Sequence, residues 1–184
     1  QKVHEVFAEW MKYLSYHLQG VVEIDWKEAR RTKDEEKKPL HVVSAFSSEM
    51  KLVLGQIACE EKSNEITAIP KLLEMLEIEG CIVTIDAMGT QKEIAKKIKE
   101  KKADYILSVK ENQKKLYEDI QLFFKEKECL MELKDDQKYA VTVNKEHGRI
   151  EKRECYIWED ISWLTGKEEW NGIWVASHKT PQKY

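Results

Sequence analysis

The chain has 184 residues, 42% of them apolar and 35% charged, which is enough for one domain with a full core. Its net charge of −3 excludes nucleic-acid binding through bulk charge, so any such role must rest on local clusters. No apolar run approaches the ~20 residues that cross a bilayer, and nothing has the form of a signal peptide, so a cytoplasmic protein with no membrane partner is expected.

The four cysteines (Cys59, Cys81, Cys129, Cys155) are widely spaced and form no C-x-x-C pair. They read as reduced thiols rather than a disulfide framework or a zinc site. The chain opens at Gln1 on a helical pattern and stops at Tyr184 inside Thr-Pro-Gln-Lys-Tyr. Both ends read as cut, and a piece of something longer is expected.

Val3, Val6, Phe7, Trp10, Met11, Leu14 and Leu18 fall at helical spacing and predict an amphipathic helix over residues 2–18, ended by Gly20. Val21 to Asp25 is a first strand. Lys27 to Lys38 is charge-mixed with almost nothing apolar, as a solvated loop is. Its early cluster, Lys27, Arg30 and Arg31, has two readings: ordinary loop charges, or phosphate contacts close to Asp25. Leu40–Phe46 and Leu52–Cys59 are strands joined by a short turn, hence an antiparallel hairpin that the first strand joins as a meander.

Ser63 or Asn64 can cap a helix with Ile66, Ile69, Leu72, Leu73 and Leu76 inward, closed by Gly80, with Pro70 early in it. Cys81-Ile-Val-Thr-Ile-Asp-Ala-Met-Gly89 then gives a buried fourth strand leading into Asp86. A helix between hairpin and strand is a crossover, so this strand should run parallel to one already laid down. Gln91–Lys102 is a helix with Ile94, Ala95 and Ile98 inward. Its outer face carries Lys92, Lys96, Lys97, Lys99, Lys101 and Lys102, either an ordinary solvated face or a basic strip for a phosphate backbone.

Asp104–Lys110 is a fifth strand, and Asn112 to about Lys127 a helix. Beyond Cys129 the pattern turns β-rich, with strands at Tyr139–Val143, Ile150–Trp158 and Ile173–Ser177. The expected fold class is α/β, a mixed five-stranded sheet flanked by helices. The expected division is a core over 1–128 and a β-rich insertion over 129–184.

Two apolar strands that each run into an Asp bring Asp25 and Asp86 side by side. Neighbouring carboxylates repel unless something positive sits between them. A hard divalent cation serves, and Mg²⁺ prefers one or two carboxylates with phosphate and water oxygens. Two ions ~4 Å apart can act on both the attacking and leaving oxygens of a phosphodiester. The plainer reading of Asp86 is a turn cap, accepting from the N–H groups of Met88 or Gly89.

Several ordered blocks go beyond pattern. They include Ile24-Asp-x-Lys27, His41-Val-Val-Ser-Ala-Phe46, Leu52-Val-Leu-Gly-Gln56, Lys62-Ser-Asn-Glu-Ile-Thr-Ala-Ile-Pro70, Val83-Thr-Ile-Asp-Ala-Met-Gly89, Lys110-x-Asn-Gln113 and His147-Gly-Arg-Ile-Glu-x-Arg153. Together they closely resemble the DDE transposases of bacterial insertion sequences, in the ISAs branch. The resemblance runs from about Trp10 to Arg153. It implies a ribonuclease-H-like core, with three antiparallel strands and the fourth strand parallel beside the first. It implies that Asp25 and Asp86 are the first two acids of the triad and hold Mg²⁺ or Mn²⁺. The implied chemistry is hydrolysis and strand transfer of DNA phosphodiesters at element ends, by a homo-oligomer or beside a full-length transposase. Lys110, Asn112, His147 and Arg149 are the further DNA-contact candidates; His147 and Arg149 read more simply as a polar turn.

Three departures stand out. Trp26 follows the first acid where the family has glycine, and an indole there is expected to crowd metal or DNA. Glu23 shares a strand face with Asp25. The third acid belongs in a helical segment after the β-rich insertion, and none precedes Tyr184; Glu151, inside the insertion, is the remaining candidate and reads more simply as an exposed strand residue. Two functions follow: an incomplete catalytic core, or a non-catalytic DNA- or protein-binding regulator derived from a truncated transposase.

Overall fold

A computed structural model describes residues 19–28, 40–59, 65–127, 139–146, 149–170 and 172–179. The helix expected over residues 2–18, most of the charged loop with Arg30 and Arg31, and His147 lie outside them. The chain forms two compact units, divided between Asn112 and Gln113.

The first unit is built on a five-stranded sheet. Its strands are β1 (Val21–Glu28), β2 (His41–Ser47), β3 (Leu52–Cys59), β4 (Ile82–Ile85) and β5 (Asp104–Leu107). Their spatial order is β3-β2-β1-β4-β5. The first three are antiparallel, and β4 lies parallel beside β1 with β5 parallel beyond it. This is the ribonuclease-H-like mixed sheet that the resemblance implied. The crossover between hairpin and β4 is α1 (Glu65–Met75), and that between β4 and β5 is α2 (Lys92–Glu100).

Alternation decides which side of the sheet is core. Val22 and Ile24 of β1, Val43 and Ala45 of β2, and Val83 and Ile85 of β4 are all buried. Ile69, Leu72 and Leu73 of α1 and Ile94 and Ile98 of α2 belong to the same apolar cluster. The i, i+3, i+4 spacing of the α1 residues makes that face. Ile66, expected inward, is exposed. Pro70 is the sixth residue of α1 rather than an early one, so the Ile66 carbonyl loses its usual N–H partner there.

The lysines after residue 91 do not form a free basic strip. Lys97 pairs with Glu74 at 2.8 Å, Lys99 with Asp104 at 2.6 Å and Lys102 with Glu79 at 3.0 Å. The Lys101 ammonium donates to the carbonyls of Glu74 and Leu76 at the end of α1, as cations do at a helix C-terminus. These charges stitch α2 to its neighbours.

The second unit contains α3 (Lys114–Lys127) and an antiparallel sheet of β6 (Tyr139–Glu146), β7 (Arg149–Trp158) and β8 (Val175–Lys179). Phe123 stacks on Trp163 with centroids 4.0 Å apart and meets Trp158 at 5.5 Å. Leu116, Phe124, Leu164, Trp170 and Val175 are buried. Trp158, Trp163 and Trp170 thus serve the packing of this unit, whereas Trp174 is exposed. Among the described residues, no helix is long and apolar enough to cross a membrane.

Candidate active site

The parallel pairing of β1 with β4 ends at Ile24 opposite Ile85. Asp25 and Asp86 are the next residue of each strand, so the two acids leave the paired register side by side, about one strand spacing (~5 Å) apart in the backbone. Asp25 is not at a strand tip. Its strand runs on to Glu28 because the antiparallel pairing with β2 continues, with Asp25 opposite Ser44 and Glu28 opposite His41. Only the β4 side ends there, and that leaves the acids at an open edge.

Asp25 faces solvent, its side chain 58% exposed. Its Oδ1 accepts from the N–H of Trp26 at 2.8 Å, and Oδ2 lies 3.5 Å from the Lys27 ammonium. Such an exposed pair contributes little to stability, but it places one cation beside the Asp25 carboxylate. Asp86 opens a 3₁₀ turn over Ala87–Gly89, and its Oδ1 accepts from Met88 N at 3.2 Å and Gly89 N at 3.4 Å. The capping reading is therefore realised. It does not exhaust the carboxylate, because Oδ2 has no hydrogen-bond partner among the described residues.

Trp26 does not crowd this edge. The pleat turns it to the opposite face from Asp25, where it packs against the core and stacks on His41 with centroids 4.9 Å apart. Glu23 shares the face of Asp25 but lies one pair further back, opposite Thr84. Its carboxylate accepts from the Ser48 hydroxyl in the β2–β3 turn.

Lys110 is exposed in the segment after β5. Asn112 donates its side-chain amide to the Ala87 carbonyl, inside the Asp86 turn. Glu151 and Arg149 belong to β7 in the second unit, opposite Asn144 and Glu146. Among the described residues, no group of three or more His, Cys, Asp or Glu side chains is clustered as a metal site. The donor set is a pair of hard carboxylates with exposed oxygen atoms, which suits Mg²⁺ or Mn²⁺ completed by water and phosphate oxygens.

Sequence reasoning named Met88 and Gly89 as donors to Asp86 but missed the packing of Gly89 and the contact of Thr90 that hold the turn. Gly89 lies so close to the core that a Cβ there would stand 2.3 Å from Ile85 Cγ2 and 3.0 Å from Ile69 Cδ1. Thr90 is fully buried, and its hydroxyl donates to the Ser108 carbonyl at 2.6 Å. The available signal was Asp at position i with Gly at i+3, a type I turn pairing.

Residues 16–167 match the family described as Transposase DDE domain. The chain belongs to that family. The H repeat-associated putative transposases YhhI and YbfD of Escherichia coli (strain K12) are similar to it. YhhI is 43% identical over 180 residues, covering 94% of this chain and 46% of that protein. YbfD is 46% identical over 159 residues, covering 83% of this chain and 60% of that protein. The chain thus spans about half the length of the curated relatives it matches. Among solved structures, the piggyBac transposase synaptic complex with hairpin DNA is similar at TM-score 0.39 and 12% identity, over 74% of this chain and 30% of that one.

Proposed function

We propose that this chain is the catalytic-core portion, incomplete as it stands, of a DDE transposase of the ISAs branch, an enzyme that cuts and transfers DNA strands at element ends. The observation that carries the reading is the register of Asp25 and Asp86, one step past Ile24 and Ile85 on adjacent parallel strands. Asp25 and Asp86 hold the divalent ion. A bound Mg²⁺ or Mn²⁺ supplies Lewis-acid activation of phosphodiester and water oxygens. The Trp26 N–H orients the Asp25 carboxylate, and the N–H groups of Met88 and Gly89 orient that of Asp86. Lys27 and Lys110 meet phosphate, with Arg30, Arg31, His147 and Arg149 as the remaining contacts. Glu151 is the candidate third acid. The partner is DNA, bound by a homo-oligomer or by a pairing with full-length transposase.

The test is incubation with duplex DNA and Mg²⁺ or Mn²⁺. Metal-dependent nicking that Asp25→Asn and Asp86→Asn both lose is the expected result. Nicking that persists in Asp86→Asn overturns the assignment of the acids. DNA binding with neither metal dependence nor cleavage favours the regulator derived from a truncated transposase.

A further inference from the structure

We infer that Thr90 is a positioning residue for Asp86, acting through its hydroxyl on the backbone that carries the acid. The inference rests on the reading of Asp86 as a metal-holding acid. A lone 3₁₀ turn has poor hydrogen-bond geometry and little stability of its own. The turn that aims Asp86 is only three residues long, so its direction must be fixed from outside.

Ser108 does this from both sides of the acid. Its N–H donates to the Ile85 carbonyl at 3.3 Å, just before Asp86. Its carbonyl accepts from the Thr90 hydroxyl at 2.6 Å, just after the turn. The Asp86 carbonyl lies 3.4 Å from the same hydroxyl. Thr90 also donates its backbone N–H to the Ala87 carbonyl at 3.2 Å. Asn112 reaches that Ala87 carbonyl from the segment after β5, and the Gln91 side-chain amide reaches the Met88 carbonyl at 3.4 Å. The strand exit at Ser108 and the Asp86 turn are thereby one unit. Thr90 is its buried hinge-pin, and Asn112 its outer strut.

This separates two roles within the Lys110-x-Asn-Gln113 block. Lys110 points its charge into solvent, whereas Asn112 commits an amide hydrogen to the turn. Removal of such outer-shell support from a metal-holding carboxylate typically costs about 10–100-fold in metal affinity.

The experiment compares the full 184-residue chain with Thr90→Val, Thr90→Ser and Asn112→Ala. Mn²⁺ affinity is measured by calorimetry, and amide hydrogen exchange is followed at Met88 and Gly89, with Ala45 in β2 as internal reference. Thr90→Val keeps the volume and removes the donor. It should weaken Mn²⁺ binding by about tenfold or more, and it should speed exchange at Met88 and Gly89 relative to Ala45. Thr90→Ser should restore both, which volume alone would not do. Asn112→Ala, a change at an exposed position, should give a smaller effect in the same direction and reports on the latch even if Thr90→Val does not fold. Parent-like affinity and parent-like exchange in Thr90→Val overturn the inference, as does a Thr90→Ser variant as impaired as Thr90→Val. A parent that binds no Mn²⁺ overturns the metal reading, while the exchange comparison still decides whether Thr90 orders the turn.

Discussion

Gly89 lies directly against Ile85, with no space between them for even a methyl group: a Cβ on Gly89 would stand 2.3 Å from Ile85 Cγ2. The residue that packs beneath the turn is also the last paired residue of the strand that delivers Asp86. Core packing and acid placement are therefore one constraint. Gly89→Ala should push the turn off the core, costing about 1–3 kcal/mol as overpacking does, and should disturb metal binding as well. Chemical denaturation together with an Mn²⁺ titration checks this; a variant of parent stability would mean that the turn sits further from Ile85.

Trp26 separates stability from function in the opposite way. It stacks on His41 across the core face of β1 and β2 while its neighbour Asp25 faces solvent. Trp26→Gly restores the residue expected in the family yet should lower stability by about 2–4 kcal/mol through the lost packing. Mn²⁺ affinity, measured where the variant is still folded, should stay near that of the parent. A large gain in affinity would show that the indole does reach the acid edge.

The strands were legible because their signals are local. Val21–Asp25 and Cys81–Ile85 are short apolar runs, and Asp25 and Asp86 follow from where those runs stop. The end of β1 was not legible, since Trp26 to Glu28 remain in the strand only through pairing with Val43, Val42 and His41. The pairing of the lysines on and after α2 was not legible for a similar reason. Lys97, Lys99, Lys101 and Lys102 find partners on Glu74, Asp104, the carbonyls at the end of α1 and Glu79, three of them more than twenty residues upstream. The Thr90–Ser108 contact spans eighteen residues and leaves no periodic trace. Asp86 was legible both as cap and as candidate acid, and the geometry allows both because the cap contacts use Oδ1 alone.

The Glu74–Lys97 pair gives a pH signature. The Lys97 ammonium, through its hydrogen bond first and its charge second, holds the Glu74 carboxyl below its ordinary value. Glu74 in turn raises Lys97. A depressed carboxylate contributes stability above its unfolded value and loses it as the pH falls through the folded one; the raised lysine loses its share as the pH climbs through its own folded value. The urea midpoint of the parent should therefore exceed that of Glu74→Gln at neutral pH, and the two should converge in acid. The difference should be small, as for any exposed pair. Midpoints separated equally in acid and at neutral pH would show that the pair is not the source.

Thiol reactivity reads out the packing of the first unit. Burial, with a smaller contribution from Glu49, raises the Cys81 thiol above its ordinary value, so little thiolate is present near neutral pH. Cys59 is also buried, whereas Cys155 in β7 is partly exposed. Alkylation followed by mass spectrometry should label Cys155 well before Cys59 and Cys81, with the order lost in denaturant. Early labelling of Cys81 in the native protein would contradict the buried β4.

The central claim is that Asp25 and Asp86, held side by side by the β1–β4 register, together bind a divalent metal ion. Calorimetric titration of Mn²⁺ into the parent, Asp25→Asn and Asp86→Asn tests it most directly. Binding by the parent that disappears in both variants is the predicted result. A parent that binds no Mn²⁺, or a variant that binds it as tightly as the parent, would contradict the account.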